Sequence, residues 1–273
     1  MKLIRFGYGN QTQVGILEGT AVTPVADGDL LAIIRENSVA RLKAVGPAMP
    51  LGEVTPLLPY DVPPKIWCIG LNYKSHAEDI QAVQPEEPGS FMKPASCMFP
   101  PNGEIVLPPP EISNDVDAEG ELGVIIGKRC RFVPADRVHG VIFGYTTTLD
   151  LTALDVLRKN PRYLTRAKSI DTFFSFGPVV VTADEIPDVD ALEVITEHND
   201  SICSRDFVHN MRTRPFELVR YHSDFMTLEP GDLISTGCPK GARIRAGDRV
   251  RARIDGIGSL AAKVRQGPRT EMW

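Results

Sequence analysis

Short apolar segments, separated by turns rich in glycine and proline, run through most of the chain and constrain its fold more than any other feature. Beyond residue 100, eight segments have the composition of β-strands: 105–107, 121–126, 141–149, 177–182, 191–197, 232–236, 249–254 and 259–264. The chain holds 23 glycines and 23 prolines, residues that interrupt regular elements and favour turns. We therefore predict an α+β fold that is mostly β, with a sandwich or barrel-like core and few helices.

A cluster of prolines between residues 47 and 64 predicts a linker in the first quarter of the chain. Before it, residues 1 to about 25 alternate apolar and polar, residues 7–10 have the composition of a hairpin turn, and residues 30–45 have helical spacing. These patterns predict a small N-terminal α/β domain over residues 1–60 and a main domain over residues 65–273. In the main domain we predict one helix beginning near Ser75 and a second over residues 214–226.

Composition excludes several classes of function. The net charge of −5 is unfavourable for nucleic-acid binding, and the basic residues between 243 and 253 alternate with apolar ones as on the solvated face of strands. Five scattered cysteines without a C-x-x-C pair do not predict a disulfide framework or a structural zinc site. With no signal peptide or membrane-spanning run recognised, we expect a soluble cytoplasmic protein with neither a nucleic-acid nor a membrane partner.

Two acidic motifs are candidates for a metal site. Glu119 and Glu121 are two residues apart on a predicted strand, so they project from one face about 7 Å apart. Their mutual repulsion would be relieved by a divalent cation, although a solvated strand end would explain the pair equally well. Asp150 follows a strand rich in threonine and is a third candidate, unless it serves as a turn residue or helix cap.

Two further motifs carry groups suited to catalysis. Lys168 precedes an aromatic run and would hold a substrate carboxylate or a developing enolate, unless it is an ordinary surface lysine. Ser75 and Glu78 form a capping-box pattern, which places His76 in the first turn of a helix with Asp79 on the same face. A histidine oriented by a carboxylate can act as a general base, whereas acidic residues at this position alternatively complement the helix dipole.

In their order and spacing, these motifs resemble the fumarylacetoacetate hydrolase family over about residues 65 to 264. The matching stretches are residues 69–77, 91–94, 118–122, 144–150, 168–173, 225–232 and 235–237. The resemblance implies a mixed β-roll catalytic domain, usually in a homodimer. It also implies a divalent cation, with Mg²⁺ expected first and Mn²⁺ or Ca²⁺ as alternatives, held by Glu119, Glu121 and Asp150.

The resemblance also implies the roles of the other residues. Lys168 and His76 occupy the positions of the family lysine and histidine, and Asp79 stands where smaller hydrolases of the family have the glutamate that completes a dyad. Asp79 is one methylene shorter than that glutamate, and Glu78 is the alternative partner for His76. Tyr73 and Thr236 are assigned to substrate binding.

Several positions depart from the family pattern. Leu154 and Leu157 replace an arginine and a glutamine that grip the substrate carboxylate in many members, while Ser204 and Val208 replace a glutamine and a threonine. Because apolar groups cannot pair with a carboxylate, the pocket is expected to accept a bulkier or less charged tail than that of oxaloacetate. The candidates to replace the lost clamp are Arg158, Arg162 and Arg166.

The resulting expectation is a metal-dependent hydrolase that cleaves a C–C bond in an acylpyruvate-type 2-oxo acid or other 1,3-dicarbonyl compound. His76 would activate water, and Lys168 would stabilise an enolate. Two alternatives remain open: a lyase or isomerase (a decarboxylase, hydratase or tautomerase) with the same site, and a binding protein that has lost turnover.

Overall fold

The computed structural model describes residues 1–79 and 81–268, and strands predominate among them. The predicted end of the main domain, residues 269–273, lies outside the described residues. The strands are β1 (Lys2–Tyr8), β2 (Gln11–Glu18), β3 (Ala21–Pro24), β4 (Met49–Pro50), β5 (Thr55–Pro56), β6 (Ile66–Gly70), β7 (Gly89–Met92), β8 (Glu104–Leu107), β9 (Val116–Ile126), β10 (Ile142–Ala153), β11 (Phe174–Thr182), β12 (Glu193–His198), β13 (Ser201–Phe207), β14 (Leu233–Ser235), β15 (Ala242–Ile244), β16 (Arg249–Ile254) and β17 (Gly258–Gln266).

The helices are short. The α-helices are α1 (Leu30–Glu36), α2 (Lys74–Asp79), α3 (Leu154–Lys159), α4 (Leu164–Lys168) and α5 (Pro215–Phe225). Single 3₁₀ segments cover Val39–Arg41, Leu51–Glu53, Ala95–Cys97, Ala135–Val141, Ala183–Glu185, Val189–Ala191 and Val208–Asn210. None of the helices in the described part of the chain has the length and apolar composition needed to cross a bilayer.

Two mixed sheets form the core. The larger has the order β4-β3-β2-β1-β11-β10-β9-β14-β6-β7, with β5 added at β1 and β15 at β9, and the smaller has the order β13-β12-β16-β17-β8. β9 and β10 pack against β12, β16 and β17 of the smaller sheet. The predicted α+β, mostly β fold is confirmed.

The two central strands, β9 and β10, extend beyond the segments predicted for them. Predicted over 121–126 and 141–149, they span Val116–Ile126 and Ile142–Ala153, and every residue in both is buried. A strand covered on both faces has no regular alternation of polar and apolar residues, so its bounds are poorly marked in the sequence. Threonines and acidic residues lie at positions where a core strand would ordinarily have aliphatic ones.

The N-terminal segment is continuous with the large sheet. The predicted hairpin is present, since β1 and β2 pair across the turn at residues 9 and 10. Lys2, Leu3 and Ile4 of β1 also pair with β11, which joins the N-terminal strands to the main sheet. The helix predicted over residues 30–45 is shorter than expected, because Asn37 has a left-handed conformation with φ of 49° and ends α1. The division into two domains stays a prediction.

The two predicted main-domain helices are present, but the prediction that Ser75 caps the first of them is wrong. Ser75 lies inside α2, and its hydroxyl donates to the Pro239 carbonyl oxygen at 2.9 Å. α5 begins as predicted, with Pro215 in its first turn and the Arg214 backbone N–H donating to the Glu217 carboxylate at 2.8 Å.

Candidate metal centre and adjoining cavity

The three carboxylates predicted to bind a metal lie together at the centre of the large sheet. Glu119 and Glu121 project from the same face of β9, and Asp150 on β10 is paired directly with Glu119. One carboxylate oxygen from each residue lies within 4.8 Å of the other two. All three side chains are almost completely buried, with 3%, 1% and 1% of their surface exposed.

Lys168, the last residue of α4, connects two of these carboxylates. Its Nζ donates to Glu119 Oε2 at 2.7 Å and to Asp150 Oδ2 at 2.8 Å. Burial by itself would lower the pKa of Lys168, but the charges of Asp150 and Glu119 outweigh it and raise the pKa well above the ordinary value. Lys168 is therefore a fixed ammonium group at the edge of the carboxylate cluster.

Lys93 is a second buried cation that the sequence analysis did not assign to the site. Its Nζ donates to Asp150 Oδ1, and it also donates to the carbonyl oxygens of Leu151 at 3.2 Å and Phe173 at 2.6 Å. Burial opposes ionisation of Asp150, yet Lys168 and Lys93 together keep the pKa of that carboxyl below its usual value. A signal was available, because Lys93 lies within the stretch 91–94 that resembles the family.

Among the described residues, two neutral groups donate to the same oxygen of Glu121. Ser235 Oγ donates to its Oε2 at 2.5 Å, and the Gly237 N–H donates to the same oxygen at 2.9 Å. Gly237 has a φ of 94°, a conformation that side chains rarely adopt, and a Cβ there would lie 2.8 Å from that of Asn72. Burial, with the charges of Asp150 and Glu119, raises the pKa of Glu121 to about 8. Ionisation of Glu121 is therefore unfavourable unless a further positive charge is present beside it.

His76 lies on α2 beside the carboxylates, but among the described residues it forms no hydrogen bond or ion pair with either candidate partner. Asp79 Oδ1 forms an ion pair with Lys240 Nζ at 2.8 Å, and Glu78 Oε1 forms one with Lys74 Nζ at 3.5 Å. Within the described residues, His76 Nδ1 is buried without a hydrogen-bond partner. Burial lowers the pKa of His76 despite the nearby charge of Glu119, so its imidazole is neutral near pH 7. The role of Asp79 as its orienting group stays a prediction.

A cavity of about 460 Å³ opens onto the carboxylate cluster. Its lining includes the buried ionisable residues His76, Glu119 and Lys168, together with Leu154 and Leu157. Other apolar lining residues are Leu71, Ala82, Pro85, Phe91, Pro161 and Leu164. The structure thus brings three buried ionisable groups to the wall of a predominantly apolar cavity.

Arg158 is one of the three arginines proposed as a replacement clamp, and it lines this cavity. Its guanidinium is paired with Asp115 at 2.5 Å. Arg162 and Arg166 are exposed and are not among the residues that form the cavity wall in the described chain.

The remaining predicted substrate-binding residues are buried and are not among the described residues that line the cavity. Tyr73 is fully buried, and its hydroxyl has no hydrogen-bond partner among the described residues. Thr236 Oγ1 donates to the Leu122 carbonyl oxygen at 2.9 Å. Ser204 and Val208 are buried as well, and neither belongs to the described lining of this cavity.

Comparisons with known proteins agree with this architecture. The sequence model described as fumarylacetoacetate (FAA) hydrolase, C-terminal, matches residues 65–265. A mitochondrial oxaloacetate tautomerase of Homo sapiens, FAHD2B, is 35% identical over 92% of this chain and 84% of its own length.

Two solved structures are similar over 98% of this chain and the whole of theirs. One is a 5-carboxymethyl-2-hydroxymuconate delta-isomerase from Mycobacterium smegmatis, with 31% identity and a TM-score of 0.82. The other is a maleylpyruvate hydrolase from Sphingobium sp. SYK-6 in complex with manganese(II) and pyruvate, with 30% identity and a TM-score of 0.80.

Proposed function

Because the chain belongs to the fumarylacetoacetate hydrolase family, we propose that it forms an enolate from a small 2-oxo acid or 1,3-dicarbonyl compound with the help of a divalent cation. One observation carries the proposal. Three buried carboxylates lie within 4.8 Å of one another, and one of them, Glu119, lines a cavity together with the ammonium group of Lys168 and the neutral imidazole of His76.

The carboxylate cluster fits a hard divalent cation. Glu119, Glu121 and Asp150 supply oxygen donors, and burial together with the neighbouring carboxylates raises the pKa of Glu121, which a bound cation would oppose. Within the described chain, the two hydrogen bonds to Glu121 both end on Oε2, so its Oε1 keeps its lone pairs for a cation. When bound, such a cation would supply Lewis-acid polarisation of a substrate carbonyl and charge stabilisation. Mg²⁺ is the expected ion, with Mn²⁺ and Ca²⁺ as alternatives.

The two other groups have complementary roles. His76 is neutral, so it can accept a proton from the carbon between two carbonyl groups or from a water molecule. Lys168 is positively charged and lines the same cavity, where it stabilises the negative charge that develops on the substrate oxygen. The apolar walls exclude water and strengthen these interactions.

Proton transfer within the substrate, as in a tautomerase or isomerase, is the reaction that this arrangement favours. A histidine that activates water benefits from a carboxylate on its second nitrogen, and here Asp79 is paired with Lys240 instead. Moving one proton between carbon and oxygen needs only a neutral base close to the enolate. The similarity to an oxaloacetate tautomerase and to an isomerase supports this reaction.

Hydrolysis of a C–C bond, the reaction expected from the sequence, is the second candidate. In that reaction His76 takes a proton from water, the water oxygen attacks the carbonyl carbon, and the C–C bond breaks to leave the enolate of a smaller acid. The similarity to a maleylpyruvate hydrolase that binds manganese(II) and pyruvate supports it. The ion pair of Asp79 with Lys240 is partly exposed and therefore weak, so Asp79 is available to turn towards His76.

Product analysis with oxaloacetate and a panel of acylpyruvates separates the reactions. The reaction of each compound with the metal-loaded protein would be followed by proton NMR in D₂O. Isomerisation keeps the carbon skeleton intact and accelerates deuterium exchange at the carbon between the carbonyls over the rate without protein, whereas hydrolysis yields two acids and decarboxylation yields carbon dioxide. Metal uptake with neither turnover nor deuterium exchange for any compound would contradict the proposed function and favour a binding protein.

The apolar walls also bear on the substrate and the assembly. Leu154 and Leu157 line the cavity where a carboxylate clamp was expected, so we propose a substrate with a bulkier or less charged tail than oxaloacetate. We further propose a homodimer in the cytoplasm, and light scattering of the purified protein tests the dimer.

A further inference from the structure

A second set of metal donors lies beside the carboxylate cluster. An imidazole nitrogen of His76, the Cys238 thiol and a carboxylate oxygen of Glu119 all lie within 4.8 Å of one another. Cys238 is 2% exposed, and it follows β14 in the loop that also carries Gly237. This set contains nitrogen, sulfur and oxygen, whereas the first contains only oxygen.

Two contacts fix this loop against α2 and its preceding residues. The Asn72 amide donates to the Thr236 carbonyl oxygen at 2.7 Å, and the Ser75 hydroxyl donates to the Pro239 carbonyl oxygen at 2.9 Å. The two bonds flank Cys238 in the loop. Cys238 and His76 are 162 positions apart in the chain, and these two hydrogen bonds hold them beside each other.

The state of the His76 ring is an independent indication of a ligand. His76 is 7% exposed, and its Nδ1 is buried without a hydrogen-bond partner in the part of the chain that the structure describes. A buried imidazole normally makes at least one hydrogen bond, because an unpaired polar atom is unfavourable. Metal coordination would satisfy such a nitrogen.

From these contacts we infer that His76, Cys238 and Glu119 form a second metal site, selective for a thiophilic divalent ion such as Zn²⁺. Three protein ligands and an open position facing the cavity are typical of zinc bound in an accessible site. Ligand atoms around a tetrahedral zinc lie about 3.4–3.7 Å apart, so side-chain movements of about 1 Å would close the site. Coordination converts the Cys238 thiol to a thiolate and releases its proton to solvent.

Glu119 can serve both sites. Its Oε1 accepts from Thr152 and its Oε2 from Lys168, and a carboxylate oxygen has two lone pairs, so each oxygen can accept a second partner. Mg²⁺ and Ca²⁺ avoid sulfur and prefer the all-oxygen cluster, whereas thiolate and imidazole favour zinc. Zinc at the second site would occupy His76 and thereby inhibit any reaction in which that ring accepts a proton.

The decisive experiment uses Co²⁺ as a spectroscopic probe in the presence of saturating Mg²⁺. The wild-type protein is expected to develop a sulfur-to-cobalt charge-transfer band in the near ultraviolet with one equivalent of Co²⁺. Cys238→Ser should remove the band, whereas Cys203→Ser should keep it, because Cys203 lies on β13 and donates to the Thr196 carbonyl oxygen at 3.2 Å. A missing band in the wild type, or one that survives in Cys238→Ser, would overturn the second site.

X-ray absorption at the zinc edge tests the site without any substitution, so it remains decisive if Cys238→Ser fails to fold. One sulfur at about 2.3 Å and one imidazole nitrogen at about 2.0–2.1 Å are expected for the zinc-loaded wild type. A shell of oxygen alone would reject the site. If the protein turns over a substrate, Cys238→Ser should raise the zinc concentration for half-inhibition by about 10-fold or more. The spectroscopic results do not depend on turnover, so failure of the proposed function would leave them interpretable.

Discussion

Lys93 and Asp150 form an ion pair in which both side chains are sealed from solvent, with 0% and 1% of their surfaces exposed. Lys168 pairs with the other oxygen of the same carboxylate at 2.8 Å. Asp150 is thus ionised between two ammonium groups. That of Lys93 is fully buried, whereas Lys168 lines the cavity. This arrangement distinguishes a lysine that is sealed against the carboxylate, Lys93, from one that also lines the cavity, Lys168.

Replacing Lys93 should destabilise the fold strongly. Lys93→Met leaves the buried Asp150 carboxylate with one cation instead of two, and breaking a buried pair typically costs about 3–5 kcal/mol. Urea unfolding without metal measures the loss, and added Mg²⁺ should restore part of it. The matched control is Lys74→Met, which removes an exposed pair with Glu78 and should change stability by less than about 1 kcal/mol. Equal effects of the two substitutions would contradict this role of Lys93.

Metal binding should release a proton near pH 7. Burial and the neighbouring carboxylates raise the pKa of Glu121 to about 8, so this group is largely protonated at pH 7 without metal and must ionise to bind a cation. Apparent affinity should therefore rise with pH and level off above about pH 8. Titration calorimetry in buffers of different ionisation enthalpy measures the released proton. A buffer-independent heat at pH 7 would rule out this coupling, and Glu121→Gln should bind metal weakly at every pH.

Loss of His76 should affect the chemistry more than metal binding at the carboxylates. A positioned base contributes about 10²–10⁴-fold, so His76→Ala should lower kcat by that range and leave Mg²⁺ affinity within a few-fold. The control is His209→Ala, because His209 is exposed on a 3₁₀ segment. Asp79→Asn should change kcat by less than about 10-fold if proton transfer is the reaction, since Asp79 pairs with Lys240. A loss from Asp79→Asn as large as that from His76→Ala would instead support the hydrolytic dyad.

The cavity walls predict a change of specificity. Arginine and glutamine at positions 154 and 157 would supply donors that the apolar wall lacks, and hydrogen bonds to a charged group contribute about 1.5–3 kcal/mol. The double variant Leu154→Arg with Leu157→Gln should therefore lower KM for oxaloacetate by roughly 10-fold or more and raise KM for apolar acylpyruvates. Leu164→Gln, at another wall position, is the control. Unchanged discrimination in the double variant would show that the substrate tail lies elsewhere.

His222 should make stability fall in mild acid. Burial lowers the pKa of His222, and its Nδ1 lies 2.7 Å from the Leu218 carbonyl oxygen, so it is a neutral donor in the folded state. Below its unfolded pKa of about 6.5, the unfolded chain binds a proton that the folded one does not, and stability declines by up to about 1.4 kcal/mol per pH unit. Unfolding between pH 7 and pH 5 should show a shallower decline for His222→Gln. Parallel curves would exclude this contribution.

Local patterns in the sequence determined the elements and part of the site. Alternating and apolar segments located most of the main-domain strands, and the proline at residue 215 marked the start of α5. The spacing of Glu119 and Glu121 was sufficient to place both on one face of a strand, because successive side chains of a strand point to opposite faces. Resemblance supplied Asp150 and Lys168 as their companions.

The tertiary structure decided which distant groups meet. The register of β10 on β9 sets Asp150 opposite Glu119, and the loop after β14 brings Cys238 to His76. Lys93 behind Asp150, and Asp79 against Lys240 rather than His76, are likewise contacts between segments far apart in the chain. Such contacts depend on strand register and loop packing, which are set by the burial of the whole core, whereas a sequence pattern reports only the preferences of residues close together in the chain.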